Sequence, residues 1–156
     1  MTDPWLVRPA THDDLDEVVR FNCEMAVETE GRHLDPERVR LGITRLITTP
    51  ALGRALVVTH PDGTLAGSMA VTTEWSDWRN GQFWWIQSVY VVPSCRRRGV
   101  FSALYNYIEG EARAAEDVCG LRLYVERENV NAQKTYLDLG MDETHYRMFE
   151  VDFRAE

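Results

Sequence analysis

The apolar positions change period along the chain, and each change marks an element. Trp5 to Arg8 reads as a short strand. Thr11, with Asp14 three residues on, has the form of a helix-capping pair, and Leu15, Val18, Val19, Asn22 and Met25 follow at helical spacing. Gly31 ends that helix, and Asp35-Pro36-Glu37 starts another with an N-cap, a proline in the first turn and an early acid. From Ala55 the period shortens. Ala55 to Thr59 and Leu65 to Trp75 read as strands joined by the tight turn His60-Pro61-Asp62-Gly63. Phe83 to Val92 is an almost unbroken apolar run, the pattern of a central strand buried on both faces. Its interruption, Gln87-Ser88, must find polar partners or mark a bulge. Beyond Pro93, Val100, Leu104, Ile108 and Ala112 line one face of a helix reaching about Glu116. Leu121 to Val125 then reads as a strand, Val130 to Leu139 as a short helix ended by Gly140, and Met141 to Phe153 as one or two further strands. This order predicts an α/β (α+β) fold, a mixed central sheet flanked by helices, in a single domain over residues 1–156.

Composition narrows the function classes. The chain has 156 residues, 44% hydrophobic and 27% charged, which suits one globular domain with a continuous core. A net charge of −8 argues against nucleic acid as a partner, since phosphate binding needs a basic face. Nine acids stand against two arginines between Asp13 and Glu37, whereas Arg96-Arg97-Arg98 is a run of three positive charges. Three cysteines without a C-x-x-C point to a reducing, cytoplasmic compartment. The four histidines are isolated, so no metal is expected, and no apolar run approaches the ~20 residues of a membrane span.

Two segments carry the chemistry. In Val91-Val92-Pro93-Ser94-Cys95-Arg96-Arg97-Arg98-Gly99-Val100-Phe101-Ser102, a central strand ends, a basic loop with one glycine follows, and a helix begins. The first helical turn presents N–H groups without intrahelical acceptors, and a glycine allows close approach, so the segment suits a pyrophosphate. An ordinary strand-to-helix turn with solvated arginines fits it equally well. The second segment, Asn129-Val130-Asn131-Ala132-Gln133-Lys134-Thr135-Tyr136-Leu137-Asp138-Leu139-Gly140-Met141, puts Asn129, Ala132 and Tyr136 on one helical face.

Together, in this order and spacing, the segments resemble the GNAT superfamily of acetyl-CoA-dependent N-acetyltransferases. The first is similar to its V-x-P-x-x-[QR]-x-x-G-x-[GA] loop and the second to its N-x-x-A-x-x-x-Y-x-x-x-G-F segment. Phe101 departs from Gly or Ala, and Met141 from Phe. The resemblance implies that Arg96, Arg97, Arg98, Gly99, Val100, Phe101 and Ser102 cradle the CoA pyrophosphate. It implies that main-chain groups of Val89 and Val91 hold the thioester and pantetheine, that Asn129 and Ala132 lie along the pantetheine arm, and that Tyr136 faces the thioester sulfur. Transfer would then be direct, from acetyl-CoA to an amine. A tyrosine near pKa 10 is a weaker acid than a thiol near 8.5, so full proton transfer is uphill by roughly 2 kcal/mol and Tyr136 acts chiefly as a hydrogen-bond donor.

At the positions where family members often carry a glutamate base, this chain has Trp85 and Tyr124. Glu74, Asp77, Glu126, Glu28 or a water chain remain as bases. By analogy, the acceptor would meet Glu28 near the end of the first helix and Glu74, Trp75, Asp77, Trp78, Trp85 and Gln87 on the hairpin and central strand. Acids among tryptophans suit a small cationic amine or a peptide or protein amine; solvated acids over packed tryptophans, or a homodimer face, suit them as well. Two rivals stand beside the enzyme: a non-catalytic acyl-CoA-binding module and a protein-interaction domain.

Overall fold

The structure, a computed structural model, describes residues 4–154. By internal packing the chain divides into two compact units, one up to Leu123 and one from Tyr124 onward.

In the first unit the strands are β1 (Leu6–Pro9), β2 (Gly53–Thr59), β3 (Leu65–Ser76), β4 (Gly81–Val91) and β5 (Val118–Arg122), and the helices are α1 (Leu15–Glu30), α2 (Pro36–Thr48) and α3 (Val100–Ala114). The sheet order follows the sequence, β1-β2-β3-β4-β5. Every pairing is antiparallel except β4 with β5, whose crossover is α3. The apolar run is therefore an internal strand, as its pattern predicts.

The ends of α1 follow local chemistry. The Thr11 N–H donates to Asp14 Oδ2 at 2.8 Å, and Arg8 grips the same carboxylate at 2.7 and 2.9 Å. Gly31 closes α1 with φ +61°, a left-handed conformation costly for residues bearing a Cβ. Asp35 caps α2 by accepting from the Glu37 N–H.

Strand alternation separates two faces. Ala55 and Val57 of β2 join Ala10 and Val18, with Ile43, Leu46 and Ile47 of α2 packed on them. The adjacent Arg54 points the other way, pairing with Glu111 of α3 at 3.5 Å. Helices α1 and α2 thus cover one face and α3 the other. Phe21, Leu56, Val57, Val58, Leu104 and Ile108 are sealed from solvent, each worth roughly 1.5–3 kcal/mol of burial.

The second unit holds α4 (Val130–Asp138), ended by Gly140 at φ +95°. Residues 142–154 form no strand, which corrects the expectation of one or two strands over Met141 to Phe153. Phe149 and Phe153 are each 93% exposed. Alternating apolar residues give a segment a face, but a strand exists only where a neighbour completes its ladder, and periodicity does not supply one.

Candidate active site

The centre of the site is an irregularity in β4. Ala70 opposes Gln87 and Ser68 opposes Tyr90, so Met69 alone faces both Ser88 and Val89. Ser88 takes φ +52°, in the left-handed region. The Gln87-Ser88 interruption is therefore a bulge, and the Gln87 side-chain amide donates to Thr72 Oγ1 on β3.

Next to the bulge β4 loses its neighbour. Its parallel pairing with β5 runs from Gln82 to Trp85 and stops where β5 ends at Arg122. Arg122 is turned back, its guanidinium 3.6 Å from the Phe83 ring centroid and 2.6 Å from Glu74. Among the described residues, no strand pairs with that edge of β4 from Ile86 to Val91. A parted pair of strands with a bulge beside the opening leaves main-chain groups for a ligand to meet.

The same strand runs into the basic loop. Pro93–Cys95 form one 3₁₀ turn, Arg97 takes φ +62°, and Gly99 at φ +83° starts α3. The first rung of α3 is the Ala103 N–H on the Gly99 carbonyl, so the Val100 and Ser102 N–H groups stand ahead of the ladder. A Cβ on Gly99 would meet no atom within 4 Å, so the space above it is open. Arg96 is held inward: Nε donates to the Val91 carbonyl at 2.9 Å, Nη2 meets Glu28 at 2.8 Å, and its guanidinium lies over Tyr90. Arg98 stacks over Trp5, whose Nε1 donates to the Arg98 carbonyl at 2.7 Å. Arg96 and Arg98 therefore brace the loop, and its positive character at the helix start comes from main-chain N–H groups and Arg97.

Tyr90 couples this strand to α1. Its hydroxyl donates to Glu24 at 2.8 Å and its ring stacks on Phe21 at 5.0 Å. Burial, with Glu24 as acceptor, pushes its pKa up to about 12, and the same bond and Arg20 hold the Glu24 carboxyl below its ordinary range.

The acceptor candidates fall in two places. Gln87 sits at the bulge, and Glu28 lies beside the loop, committed to Arg96. Trp75 and Trp78, 58% and 86% exposed, stand with Asp77 at the hairpin tip, where Ser76 opposes Gly81. Ser88 stands seven residue steps along β4 from Gly81, about 23 Å of strand. Glu74 pairs with Arg122, and Trp85 marks the last rung with β5.

In the second unit Asn129 caps α4, its Oδ1 accepting from the Ala132 N–H at 3.2 Å. Tyr136 is half-buried, and burial raises its pKa above the usual tyrosine value. Glu126 accepts from the Glu128 N–H at 2.8 Å.

Two features escape sequence reasoning. Cys95, 3% exposed, lies 3.5 Å from His60 Nε2 of the β2–β3 turn. That separation of 35 residues hides the pair from any local motif, and the depth of Cys95 makes it a packing contact of the loop. The second is a cavity of about 460 Å³ under α1 and α2, reaching Gln87 and Ser88. It rests on small residues brought together from two strands, Ala55 on β2 and Ser68 and Ala70 on β3, which no single segment of the sequence displays. Among the described residues, no group of three His, Cys, Asp or Glu side chains is placed to hold a metal ion, and no helix is long and apolar enough to cross a membrane.

The acetyltransferase (GNAT) family model matches residues 17–141. A possible acetyltransferase from Clostridium difficile 630 superposes with a TM-score of 0.88 at 42% identity, over 97% of this chain and 99% of that one. A probable acetyltransferase gives 0.84 at 20% identity, over 97% and 99%. Glucosamine-6-phosphate N-acetyltransferase from Arabidopsis thaliana gives 0.73 at 15% identity, over 96% and 99%. The last two, at such low identity, speak to the fold alone. A search of curated proteins finds no match.

Proposed function

The chain belongs to the acetyltransferase (GNAT) family, and from that premise we propose that it transfers an acetyl group from acetyl-CoA directly to an amine. The observation that carries the reading is one strand offering three things in succession: a parted edge, a bulge and a helix-start loop. The pyrophosphate would rest on the loop from Arg96 to Ser102 and the pantetheine would run along the open edge by Val89 and Val91. Main-chain N–H groups at the bulge would stabilise the thioester oxygen as charge develops there.

In the step, the amine nitrogen bonds the acetyl carbon, the carbon–sulfur bond breaks, and CoA leaves as thiolate. The ammonium proton passes to water or a nearby base, and the thiolate takes a proton from solvent. Holding both reactants together supplies much of the rate. Tyr136 has the role its place in the Asn129–Met141 segment implies, a hydrogen bond to the departing sulfur. A raised pKa suits that role, because the hydroxyl keeps its hydrogen throughout the neutral range. Glu28 and Glu74 are each engaged by an arginine, which favours water as the proton acceptor.

Thermal unfolding with and without acetyl-CoA tests the donor. Ligand at a hundred times its Kd adds about 2.7 kcal/mol, which raises the midpoint by roughly 5–10 °C for a chain of this size. ATP is expected to give no such rise. Tyr136→Phe is expected to keep the rise and to lower amine-dependent thiol release; unchanged release would remove its assigned role. No rise at millimolar acetyl-CoA would sink the acyltransferase reading.

A further inference from the structure

The bulge of β4 is a costly piece of backbone. Ser88 takes φ +52°, a left-handed conformation unfavourable for a residue bearing a Cβ, so the strand keeps it only where the surroundings fix it. The competing arrangement is a flat ladder. Relaxing to it shifts the register by one residue and turns every side chain beyond the slip to the other face.

The pairing of β3 with β4 shows what opposes that slip. Ser68 and Ala70 are two residues apart on β3 and so share a face, and the residues opposite them share it too, Tyr90 and Gln87. Strict alternation would put Gln87 and Tyr90, three residues apart, on opposite faces. The extra residue in the bulge brings both to the face that α1 and α2 cover. Each is tied down there. The Gln87 amide donates to Thr72 Oγ1 on β3. The Tyr90 hydroxyl donates to Glu24 of α1 at 2.8 Å, and its ring stacks on Phe21. Flattening the bulge would carry one of the two side chains to the α3 face and break its bond. Both bonds run between side chains, so they leave the main-chain groups of the bulge unspent.

We infer that Gln87–Thr72 and Tyr90–Glu24 are a pair of positioning bonds, which together lock the bulge in register and so aim its main-chain N–H groups at the thioester oxygen. Neither side chain touches the reacting atoms in this role. It gives Gln87 a task other than the acceptor contact that the family analogy implies. The inference rests on the acyltransferase reading and adds to it the side chains on which the geometry at the bulge depends.

Infrared difference spectra of acetyl-CoA labelled with carbon-13 at the thioester carbonyl test it on the full chain, without an acceptor. Hydrogen bonding lowers a carbonyl stretching frequency, so the carbonyl band bound to the parent protein is expected below that of free acetyl-CoA. Thr72→Val and Tyr90→Phe each remove one hydroxyl and keep the bulk, and the remaining ring still lies under the Arg96 guanidinium that braces the loop. Losing one neutral hydrogen bond disfavours the bulged register by roughly 3–10-fold, and losing one to a carboxylate by more. Each single variant is therefore expected to move the band part-way toward free acetyl-CoA, and the double variant most of the way. The acetyl-CoA midpoint rise, which reports the loop, is expected to persist and shows that the variants are folded. Adding Ser88→Gly to the double variant removes the left-handed cost and is expected to recover part of the shift, which general damage to the sheet would not allow. A parent-like band in the double variant, or a lost shift that Ser88→Gly leaves lost, would overturn the inference alone. So would a parent band no lower than that of free acetyl-CoA beside a normal midpoint rise. If the double variant gives no midpoint rise, Thr72→Val alone decides: a part-way band supports the inference and a parent-like band overturns it. No midpoint rise in the parent protein would overturn the acyltransferase reading, and this inference with it.

Discussion

Single residues fix the entrances and crossings of this fold. Asp14 is 7% exposed and takes bonds from both Arg8 nitrogens and the Thr11 N–H, which hold its carboxyl below the ordinary aspartate range. A carboxyl with a depressed folded pKa adds stability above its unfolded pKa near 3.9, and that stability fades as pH falls. Asp14→Ala is expected to cost about 2–3 kcal/mol in urea unfolding at pH 7, with the gap to the parent closing below about pH 4. Tyr90 has the opposite sign. With a folded pKa of about 12, its contribution is complete below the unfolded value near 10 and is lost as pH rises toward 12. Tyr90→Phe is expected to lower stability by about 1 kcal/mol at pH 8 and to flatten the loss between pH 10 and 12, read by denaturant midpoints.

At the scale of elements, the strand–loop–helix unit from β4 to α3 was the most legible part of the sequence. Its signals are local: an apolar run broken at Gln87-Ser88, a proline after the strand, and Gly99 where φ is positive. Gly99→Ala is expected to weaken the fold by about 1 kcal/mol through left-handed strain alone and to keep the acetyl-CoA midpoint rise. Gly99→Asp, which adds a charge facing the phosphates, is expected to abolish the rise. Binding retained by Gly99→Asp would detach the loop from the donor. The cavity was not legible, because it needs small residues on two strands and two helices to come into register, and no single segment states that. The Cys95–His60 contact was hidden for the same reason. The strands expected over Met141 to Phe153 failed differently: the pattern was real, but their pairing partner lies outside what a pattern encodes.

Across the first unit, the acidic surplus takes on a different meaning once partners are visible. Beyond the buried Asp14, Asp16 pairs with Arg40, Glu17 and Glu24 with Arg20, and Glu28 with Arg96. Exposed pairs of this kind are worth about 0–1 kcal/mol each, so they trim the field of the −8 charge more than they hold the fold. The free thiols grade with depth, from exposed Cys119 through half-buried Cys23 to buried Cys95. Thiol labelling of the native protein is expected to modify Cys119 first and Cys95 only on unfolding; early labelling of Cys95 would show that the loop opens.

The parted edge of β4 also has a consequence for how the sheet breathes. Amides of a strand with neighbours on both sides leave their bonds only when the whole sheet opens, whereas those along Ile86 to Val91 have, among the described residues, a strand neighbour on the β3 side alone. In deuterated buffer that stretch is expected to take up label ahead of β2 and β3, and bound acetyl-CoA is expected to slow it. The opening proposed for the donor would then report its own occupancy, amide by amide, with no need for the acceptor to be known.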